Sequence, residues 1–573
     1  MNRVYAALEA GWRGEVARWV QWGALLVLAL AIAAPRLKAL DRLVTPDEPL
    51  WLHRSANFYS ALSRGDWGGT FQKEHPGVTV MWAGTFGFIA RFPQYLSSGL
   101  SQVNPDEFQA YLRTVKGVTP LELLVAGRIF MILGHTLLLL SGFTYARRLL
   151  GFYPALTGFL LIAFDPFHLA LTRLLHVDGL LTNLLLLSLL ALLNYLQERR
   201  PLDLIVSAIA AGLGLLTKLP AILMLPVAGL LIAYGLWESS GRGRNRALIR
   251  LVKPVTQTGA MWGLIMVLVF VLAWPAMWAQ PVQTLTALGE LGRTQVAVEQ
   301  GKQLFFNGEI VPTGGFGAGY WYFYPLTYLW RSTPIVLAGL LLAGLAFWKR
   351  RPPFSTQANR SLVWSLLLFI VAFTVMMSFS AKKYDRYLLP VYAPLDLISG
   401  LGWASLAMSL IERRLRVGLR SLAYAIPLAA ILLQAVLALQ AYPYYFTYYN
   451  PLLGGSRLAL GVMQIGWGEG LDQAAGYLNQ QPGAEKLKAI SSLTTGCFSY
   501  YFKGFDREMP YLDDASVDDD DWQKFIQSDY AIIYISQMQR NISPPILEYV
   551  SHLKPEHTVW INGLEYARIY KIR

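Results

Sequence analysis

The sequence predicts an α-helical, polytopic membrane protein with a small α/β domain at its C-terminal end. Of the 573 residues, 54% are hydrophobic and only 15% are charged, whereas a soluble protein carries about 25% charged residues. Several apolar runs are long enough to cross a bilayer as helices. The basic residues fall in alternate short loops between these runs, as membrane topology requires. These three observations define the predicted fold class.

The apolar runs predict about eleven membrane spans, counted by length and by the absence of charge. The predicted spans cover residues 19–35, 121–143, 152–170, 177–196, 202–217, 219–237, 257–276, 334–348, 361–380, 388–410 and 421–441.

Orientation follows from the basic residues, because cytoplasmic loops carry an excess of Lys and Arg. Five alternate loops are basic, so the N-terminus is predicted to be cytoplasmic and the C-terminal domain extracytoplasmic. The protein is expected to be a multi-pass protein of the plasma membrane. The basic loops contain Arg147-Arg148, Arg199-Arg200, Arg242 to Lys253, Lys349 to Arg351, and Arg413 to Arg420.

Two external loops belong to the membrane domain, which is predicted to comprise residues 1–450. The first, residues 36–120, contains amphipathic stretches at 49–62 and 106–116 that are expected to lie in the interface plane. The second, residues 277–333, contains a predicted surface helix over residues 281–300.

Residues 451–573 have about the length of one small domain. A helical pattern at 471–478 and strand-like runs at 487–493, 530–535 and 566–572 predict an α/β fold.

Net charge and cysteine content exclude other classes. The chain has 49 Lys and Arg against 36 Asp and Glu, but the excess lies in membrane-flanking loops, so no nucleic-acid partner is expected. The only cysteine, Cys497, excludes an internal disulfide.

Ionisable residues collect at the predicted external ends of the spans. A charge close to hydrocarbon is costly, so such residues are candidates for function. Each has an ordinary alternative: Arg128 and Lys218 snorkel to headgroups, Asp178 caps a helix or pairs with Arg173, and Lys382 and Lys383 bind lipid headgroups. The candidates are Asp47, Glu48, Glu74, His75, Arg128, Arg173, His176, Asp178, Lys218, Lys382, Lys383, Asp385, Arg386 and Tyr387.

The order of these motifs resembles a family of membrane glycosyltransferases. Asp47-Glu48 is similar to the Asp-Glu signature in the first external loop of the protein O-mannosyltransferases. Glu74-His75-Pro76-Gly77 resembles their His-Pro-Pro element and the Glu-Lys-Pro of the bacterial aminoarabinose transferases of lipid A. Arg128, residues 173–178, 216–218 and 382–390 also fall where this superfamily carries short motifs, so the resemblance covers about residues 15–450.

The resemblance implies a glycosyltransferase of the GT-C fold that takes a hexose or pentose from a polyprenyl-phosphate donor, with inversion, on the extracytoplasmic face. Asp47 would be the general base, with Glu48 beside it pairing with Arg128 or positioning the acceptor. Lys218, Lys382, Lys383 and Arg386 would hold the donor phosphate.

The sequence departs from the family at two positions, since His75 stands in place of lysine and Gly77 in place of proline. A protein, a lipid and a glycan therefore remain possible acceptors.

The chemistry of a phosphate leaving group agrees with this expectation. Fixed cations stabilise the charge on the departing phosphate, and one carboxylate suffices as base. Partial desolvation is expected to raise the pKa of that carboxylate and strengthen it as a base. This chemistry requires no cofactor and leaves a divalent cation open.

A transporter or flippase of lipid-linked sugars is the main alternative. A transporter would place ionisable residues near the middle of the membrane, often within inverted repeats. Here the candidates cluster at one face and no internal repeat is apparent. A non-catalytic assembly or lipid-binding protein would leave the Asp47-Glu48 and Glu74-His75 elements without a role.

Overall fold

A computed structural model describes residues 18–74, 76–239, 247–294, 303–312, 320–380, 382–412, 417–510 and 519–573. Eleven of its helices overlap the predicted spans. In chain order they are α1 (Arg18–Leu37), α2 (Pro120–Leu150), α3 (Phe152–Ala163), α4 (Val177–Glu198), α5 (Pro201–Thr217), α6 (Met224–Ser239), α7 (Ala247–Leu272), α8 (Pro334–Trp348), α9 (Gln357–Ser378), α10 (Leu389–Glu412) and α11 (Val417–Leu439).

The multi-pass membrane architecture is confirmed. Within the described residues, seven helices are long and apolar enough to cross a membrane, and a bent helix pair formed by Phe323–Arg331 and α8 makes eight. Three further apolar helices are shorter: α3, α5 and the stretch Ala423–Leu439 of α11.

One predicted span is wrong in its extent. Residues 152–170 are not a single helix, because α3 ends at Ala163 and a separate short helix covers Pro166–Leu171. The carboxylate of Asp165 accepts a hydrogen bond from the backbone N–H of His168 at 2.7 Å and caps this second helix. Cap and proline together start a new helix at this position.

Helix α4 is the most buried of the spanning helices: 89% of its most apolar 18-residue stretch is buried by other parts of the protein. Leucines cover all of its faces, which is the pattern of a helix surrounded by other helices. Two of its buried polar side chains bond to neighbouring helices, since Ser188 Oγ donates to the Ser207 carbonyl at 2.8 Å and Asn194 Nδ2 donates to the Tyr145 carbonyl at 3.0 Å.

Glycines allow α10 to approach its neighbours closely. A Cβ at Gly400 would meet the backbone of Gly158 in α3, and a Cβ at Gly402 would overlap the carbonyl oxygen of Gly339 in α8. Small residues at helix contacts permit such close backbone packing in membranes.

The connecting segments carry their own helices. The predicted amphipathic stretches of the first loop form the helices Glu48–Arg64 and Pro105–Thr114, and the predicted surface helix of the second loop spans Pro281–Thr294. Strands β1 (Gln303–Phe306) and β2 (Glu309–Pro312) pair antiparallel as a hairpin that the sequence analysis missed. The remaining short helices are Val78–Arg91, Ala276–Ala279, Phe323–Arg331 and Gly455–Ala459.

The C-terminal segment forms a five-stranded sheet with the order β4-β3-β5-β7-β6. The three predicted strands are present, and the predicted helix is Leu471–Leu478. The two missed strands, β4 and β6, lie at the edges of the sheet. The strands are β3 (Lys488–Ser491), β4 (Phe505–Glu508), β5 (Tyr530–Tyr534), β6 (His557–Ile561) and β7 (Leu564–Lys571), and the helices Asp519–Ile526, Ile535–Gln539 and Pro544–Ser551 accompany them.

The sheet segment packs against the membrane part. Its apolar core includes Leu43 from the first loop and Trp330 from the second. Arg42 and Asp472 form an ion pair at 3.2 Å, and Arg113 and Asp506 form one at 2.8 Å. The loop after α1 is therefore held between the helix bundle and the sheet.

The close contact between α8 and α10 yields a stability prediction. Gly402→Ala is expected to cost about 1–3 kcal/mol, because the added methyl group overlaps the backbone of α8. Gly344→Ala is the matched control, since a Cβ at Gly344 meets no atom within 4 Å among the described residues. Apparent melting temperatures in detergent should fall for Gly402→Ala and stay unchanged or rise slightly for Gly344→Ala. Equal melting temperatures would show that this contact is not tight.

Candidate active site

Four segments distant in sequence meet at one end of the helix bundle. They are the loop after α1, the start of α4, the end of α5 and the turn that precedes α10. Because α4 and α5 run antiparallel, the first residues of α4 lie beside the last residues of α5. The segments bring together Asp47, His176, Asp178, Lys218 and Arg386.

Asp47 lies at the centre of this group. Its Oδ2 is 3.2 Å from Nε2 of His176 and 3.3 Å from a terminal nitrogen of Arg386. Nδ1 of His176 accepts from the backbone N–H of Asp178 at 3.3 Å, so Nε2 carries the proton and donates to Asp47. The Asp47 side chain is 36% exposed, so it is oriented by two partners and still accessible.

Asp178 connects the remaining cations. Its Oδ1 accepts from Nζ of Lys218 at 2.8 Å, and its Oδ2 lies 3.7 Å from Nε of Arg386. Within the described part of the chain, Asp178 Oδ2 and Arg386 Nε are buried without a hydrogen-bond partner. The two atoms face each other at 3.7 Å as a long ion pair, so Asp178 holds Arg386 only loosely.

Aromatic rings surround the cations. Nζ of Lys218 lies 4.1 Å from the ring centre of Tyr387. The Arg386 guanidinium lies 4.4 Å from the ring centres of both Tyr384 and Trp467. Cation–π contacts of this kind restrain the side chains and favour their charged forms.

The pKa of Asp47 differs from the expectation. Burial alone would raise it, but the hydrogen bond from His176 and the charges of Arg386 and Lys218 outweigh burial and lower the pKa below its ordinary value. The expected upward shift is therefore wrong, because neighbouring cations dominate over desolvation. Asp47 is a carboxylate at neutral pH and can accept a proton.

A cavity of about 240 Å³ opens beside this group. The membrane part supplies Asp47, Lys383 and Arg386 to its wall, and the aromatic side is formed by Tyr384 and Trp467. The wall also includes Leu304, Phe305, Phe306, Phe323, Met463, Gln464 and Arg540 from the β1–β2 hairpin, the second loop and the C-terminal segment.

Glu48 and Arg128 form a bidentate ion pair away from the cavity, and both side chains are fully buried. Nε of Arg128 donates to Glu48 Oε1 at 2.7 Å, and its Nη2 donates to Oε2 at 2.5 Å. The carboxylate also accepts from the backbone N–H groups of Thr45 and Leu175. A carboxylate enclosed in this way has no open face for a substrate, so direct chemistry by Glu48 does not fit the geometry.

Arg173 also lies outside the cavity. Its guanidinium donates to the carbonyls of Lys38 and Ala39 at 2.6 Å each, and to the carbonyl of Pro443 at 3.0 Å. It therefore fastens the segment after α1 to the segment after α11. The expected contact of Arg173 with substrate is not what this geometry provides.

Neighbouring residues of the segment before α10 make different contacts. Nζ of Lys383 donates to the carbonyls of Ser378 and Ser380 at 2.5 and 2.6 Å, and burial lowers its pKa to about 8. Asp385 accepts from Arg331 at 2.8 Å. Lys382 is half-buried, with its Nζ 5.8 Å from the ring centre of Tyr384.

The later part of the first loop lies outside the contacts around Asp47. Glu74 pairs with Lys73 at 2.8 Å and is half-exposed. His75 is outside the described residues.

Two site residues were missed by the sequence analysis. Arg331 is buried against the rings of Phe446 and Tyr449, each 4.3 Å from its guanidinium, and it fixes Asp385. Trp467 lies within a run of alternating glycines, Gly466 to Gly470, that directly precedes the helix Leu471–Leu478. The glycine pattern in the sequence could have indicated Trp467 as a site residue, whereas the sequence around Arg331 contains no such signal.

The described residues contain no group of three or more His, Cys, Asp or Glu side chains placed to hold a metal ion.

The helix bundle carries a carboxylate and cations beside a cavity at one of its ends, and a comparison of the sequence with family models matches part of the chain. Residues 116–274 match the family model of dolichyl-phosphate-mannose-protein mannosyltransferase. This match supports the resemblance drawn from the sequence: a multi-pass membrane glycosyltransferase of the GT-C type.

Three solved structures match the chain at 12–16% identity, each with a TM-score under 0.5. ArnT from Cupriavidus metallidurans in the apo state is 15% identical over 97% of this chain and 99% of its own, with a TM-score of 0.49. The Archaeoglobus fulgidus oligosaccharyltransferase is 12% identical over 91% of this chain and 70% of its own, with a TM-score of 0.48. The Saccharomyces cerevisiae Pmt1-Pmt2 complex is 16% identical over 53% of this chain and 40% of its own, with a TM-score of 0.35. A search of curated proteins finds no match.

The Glu48–Arg128 pair yields a prediction that separates a structural role from a catalytic one. Glu48→Gln leaves a buried arginine without its counter-charge, which is expected to cost about 3–5 kcal/mol of stability. Glu122→Gln is the control, because the Glu122–Arg91 pair is 2.7 Å long but 48% and 41% exposed, and an exposed pair contributes at most about 1 kcal/mol. Melting temperature and folded yield in detergent check this. Wild-type stability of Glu48→Gln would contradict the structural role.

Proposed function

We propose that this protein transfers a sugar from a polyprenyl-phosphate donor to an acceptor hydroxyl, with inversion, and that Asp47 is the general base. One observation carries the proposal: the accessible carboxylate of Asp47 lies on the wall of a cavity, 3.3 Å from the guanidinium of Arg386. A proton acceptor and an anion-binding group therefore face the same space.

The transfer is a single displacement. The acceptor hydroxyl gives its proton to Asp47 as its oxygen attacks the anomeric carbon of the sugar. The bond between that carbon and the phosphate oxygen breaks, and polyprenyl phosphate leaves with the bonding electrons. A single displacement inverts the anomeric centre, so the reaction needs one carboxylate and no covalent sugar intermediate.

The cations stabilise the departing phosphate. The negative charge on the phosphate grows from about −1 in the donor to between about −1.5 and −2 in the product at neutral pH. Fixed cations aimed at this growing charge lower the barrier. Arg386 and Lys383 line the cavity. Lys218 is linked to Arg386 through Asp178, whose carboxylate pairs with both cations.

The contacts of Arg386 suit this role. Its distances of 3.3 Å to Asp47 and 3.7 Å to Asp178 exceed the 2.7–2.9 Å that is typical of charge-assisted hydrogen bonds. A phosphate that approaches Arg386 therefore competes with loosely held carboxylates. Withdrawal of Arg386 toward the phosphate raises the pKa of Asp47, which makes it a stronger base when the donor is bound.

Glu48 and Arg128 act as positioning residues in this proposal. Arg128 also donates to the carbonyls of Leu40 and Leu43 at 2.5 and 2.6 Å. Asp47 is the residue directly before Glu48. The ion pair therefore fixes the backbone segment that carries Asp47. Arg173 fixes the same segment from its other side.

The donor class follows from the family match and from the position of the site. The matching family is described as using dolichyl-phosphate mannose, a sugar on a polyprenyl phosphate. A polyprenyl chain would lie in the membrane, and this also explains why charged groups collect at the ends of membrane helices. We propose a protein, a lipid or a glycan as the acceptor. The basic loops support a reaction on the extracytoplasmic face, and we propose that the membrane is the plasma membrane.

Residues 451–573 are proposed as a separate extracytoplasmic domain that closes one side of the cavity. Its residues Met463, Gln464 and Arg540 lie on the cavity wall. The transporter alternative gains no support from this arrangement, because the cavity with its charged groups lies at one end of the helices instead of near the middle of the membrane.

Asp47→Asn is expected to fold normally and to lose sugar transfer by a factor of about 10² to 10⁴, the usual contribution of a general base. Membranes containing the protein would receive radiolabelled polyprenyl-phosphate sugars, and label in the protein, lipid and glycan fractions would identify the acceptor. Asp41→Asn is the control, because Asp41 is exposed in the same loop. Normal turnover of Asp47→Asn would end the base assignment.

The hydrogen bond between His176 and Asp47 predicts a pH effect. His176→Phe keeps the ring but removes the donor, so the pKa of Asp47 should rise toward or above its ordinary value of about 3.9. A base works only above its pKa, so kcat/KM of the variant should begin to fall at a higher pH than kcat/KM of the wild type, whose acidic limb lies below about pH 3.9. Initial rates between pH 3.5 and 8 check this, with light scattering at each pH to confirm that the protein stays folded. An unmoved acidic limb would show that His176 does not tune Asp47.

A further inference from the structure

The run of alternating glycines, Gly466 to Gly470, lies between the cavity and the C-terminal sheet. Its one large side chain, Trp467, lines the cavity together with Asp47 and Arg386. This run therefore brings a residue from the C-terminal part of the chain to the candidate active site.

The indole of Trp467 contacts both partners of Asp47. Its ring centre lies 4.4 Å from the Arg386 guanidinium. Its ring centroid is 5.4 Å from that of His176, with the two planes at 88°, an edge-to-face contact. Phe446 packs on it at 5.5 Å. One side chain thus touches the two groups that hold the base carboxylate.

The backbone around Trp467 is fixed from the sheet. The carboxylate of Glu469 accepts from the Trp467 N–H at 2.6 Å and from the hydroxyl of Tyr534, in β5, at 3.0 Å. The same hydroxyl accepts from the Gly468 N–H at 2.9 Å. These bonds tie the position of the indole to the central strand of the sheet.

Glycine is required at Gly468. Its φ of +111° lies in the region that side chains rarely adopt, and a Cβ there would overlap the carbonyl oxygen of Val44. Val44 lies three residues before Asp47. The glycine run and the segment that carries Asp47 are therefore in direct backbone contact.

We propose that Trp467 is a positioning residue for donor binding: its indole holds the guanidinium of Arg386 in the orientation that receives the donor phosphate. This inference rests on the proposed function. A free arginine side chain loses rotamer freedom when it binds an anion. Packing Arg386 between Tyr384 and Trp467 removes part of that cost before the donor arrives. The sheet therefore contributes to donor affinity through one aromatic ring.

The test is binding of a short-chain polyprenyl phosphate to the purified full-length protein in detergent, measured by the shift in thermal unfolding as ligand is added. Because no acceptor or turnover is needed, the unknown acceptor does not affect the measurement. Trp467→Ala is expected to raise the Kd about tenfold, and Trp467→Phe, which keeps a ring against Arg386, to restore it to within about threefold. Trp560→Ala is the matched control, because Trp560 belongs to the same sheet and is 59% exposed.

A double-mutant cycle separates positioning from general loss of structure. Since Trp467 acts through Arg386, Trp467→Ala should add little to the loss of affinity that Arg386→Gln already causes. Additive losses, or wild-type affinity of Trp467→Ala, would overturn the inference. If Trp467→Ala does not fold, Trp467→Leu replaces it under the same criteria. Wild-type protein that does not bind polyprenyl phosphate would instead overturn the proposed function.

Discussion

The buried ion pair between Glu48 and Arg128 is the constraint on which the candidate site depends. Both side chains are withdrawn from solvent, and two opposite charges in such a place are tolerated only when their hydrogen bonds are satisfied. Arg128 meets this condition by binding backbone carbonyls of residues 40–43, and Glu48 by binding the N–H groups of Thr45 and Leu175. The pair therefore fixes the first loop against α2 and the segment before α4 at once.

This constraint gives adjacent acidic residues opposite fates. Glu48 is the first residue of the helix Glu48–Arg64 and points into the protein, whereas Asp47 stands at the helix N-cap and points toward the cavity. The carboxylate of Glu48 has a structural role, and the ion pair that it forms holds the carboxylate of Asp47 at a defined place. Pre-organisation of this kind matters for catalysis, because a reacting group must stand within hydrogen-bond reach of its proton.

Much of the fold could be predicted from the sequence, and the reasons differ between its parts. Apolar runs of sufficient length identify the spans, but the break at Asp165-Pro166 shows that a cap and a proline can end a helix inside an apolar run. In the sheet, β3, β5 and β7 were recognisable from apolar residues. The edge strand β4 carries the residues Phe-Asp-Arg-Glu and lacks that signal.

The site was partly predictable for a different reason. Span ends on one face must lie near one another, which led to Asp47, His176, Asp178, Lys218 and Arg386. Position along the chain does not tell which way a side chain points, so Arg173 was grouped with them although it binds backbone carbonyls elsewhere. Arg331 lies in an aromatic segment, and nothing in its sequence neighbourhood indicates that it fixes Asp385. A second polar network inside the bundle, running from Arg36 through His168 and Asn183 to His135, also appears only in three dimensions.

In the proposed reaction the site binds an anionic donor, and that step depends on the balance of charges around the cavity. Arg386 and Lys218 carry two positive charges and Asp47 and Asp178 carry two negative charges, so these four groups are neutral together and a phosphate adds an uncompensated negative charge. In this proposal Lys383 supplies the further cation, since it lines the cavity. Burial lowers its pKa to about 8 and so disfavours its charged form. An anion beside a lysine favours the charged form and raises that pKa again. Donor binding then stabilises the protonated Lys383, and the same interaction strengthens as charge builds on the phosphate during transfer. The carbonyls of Ser378 and Ser380 already accept hydrogen bonds from Lys383, and an anion adds a full opposite charge that a neutral ligand lacks, which favours a phosphate-bearing ligand.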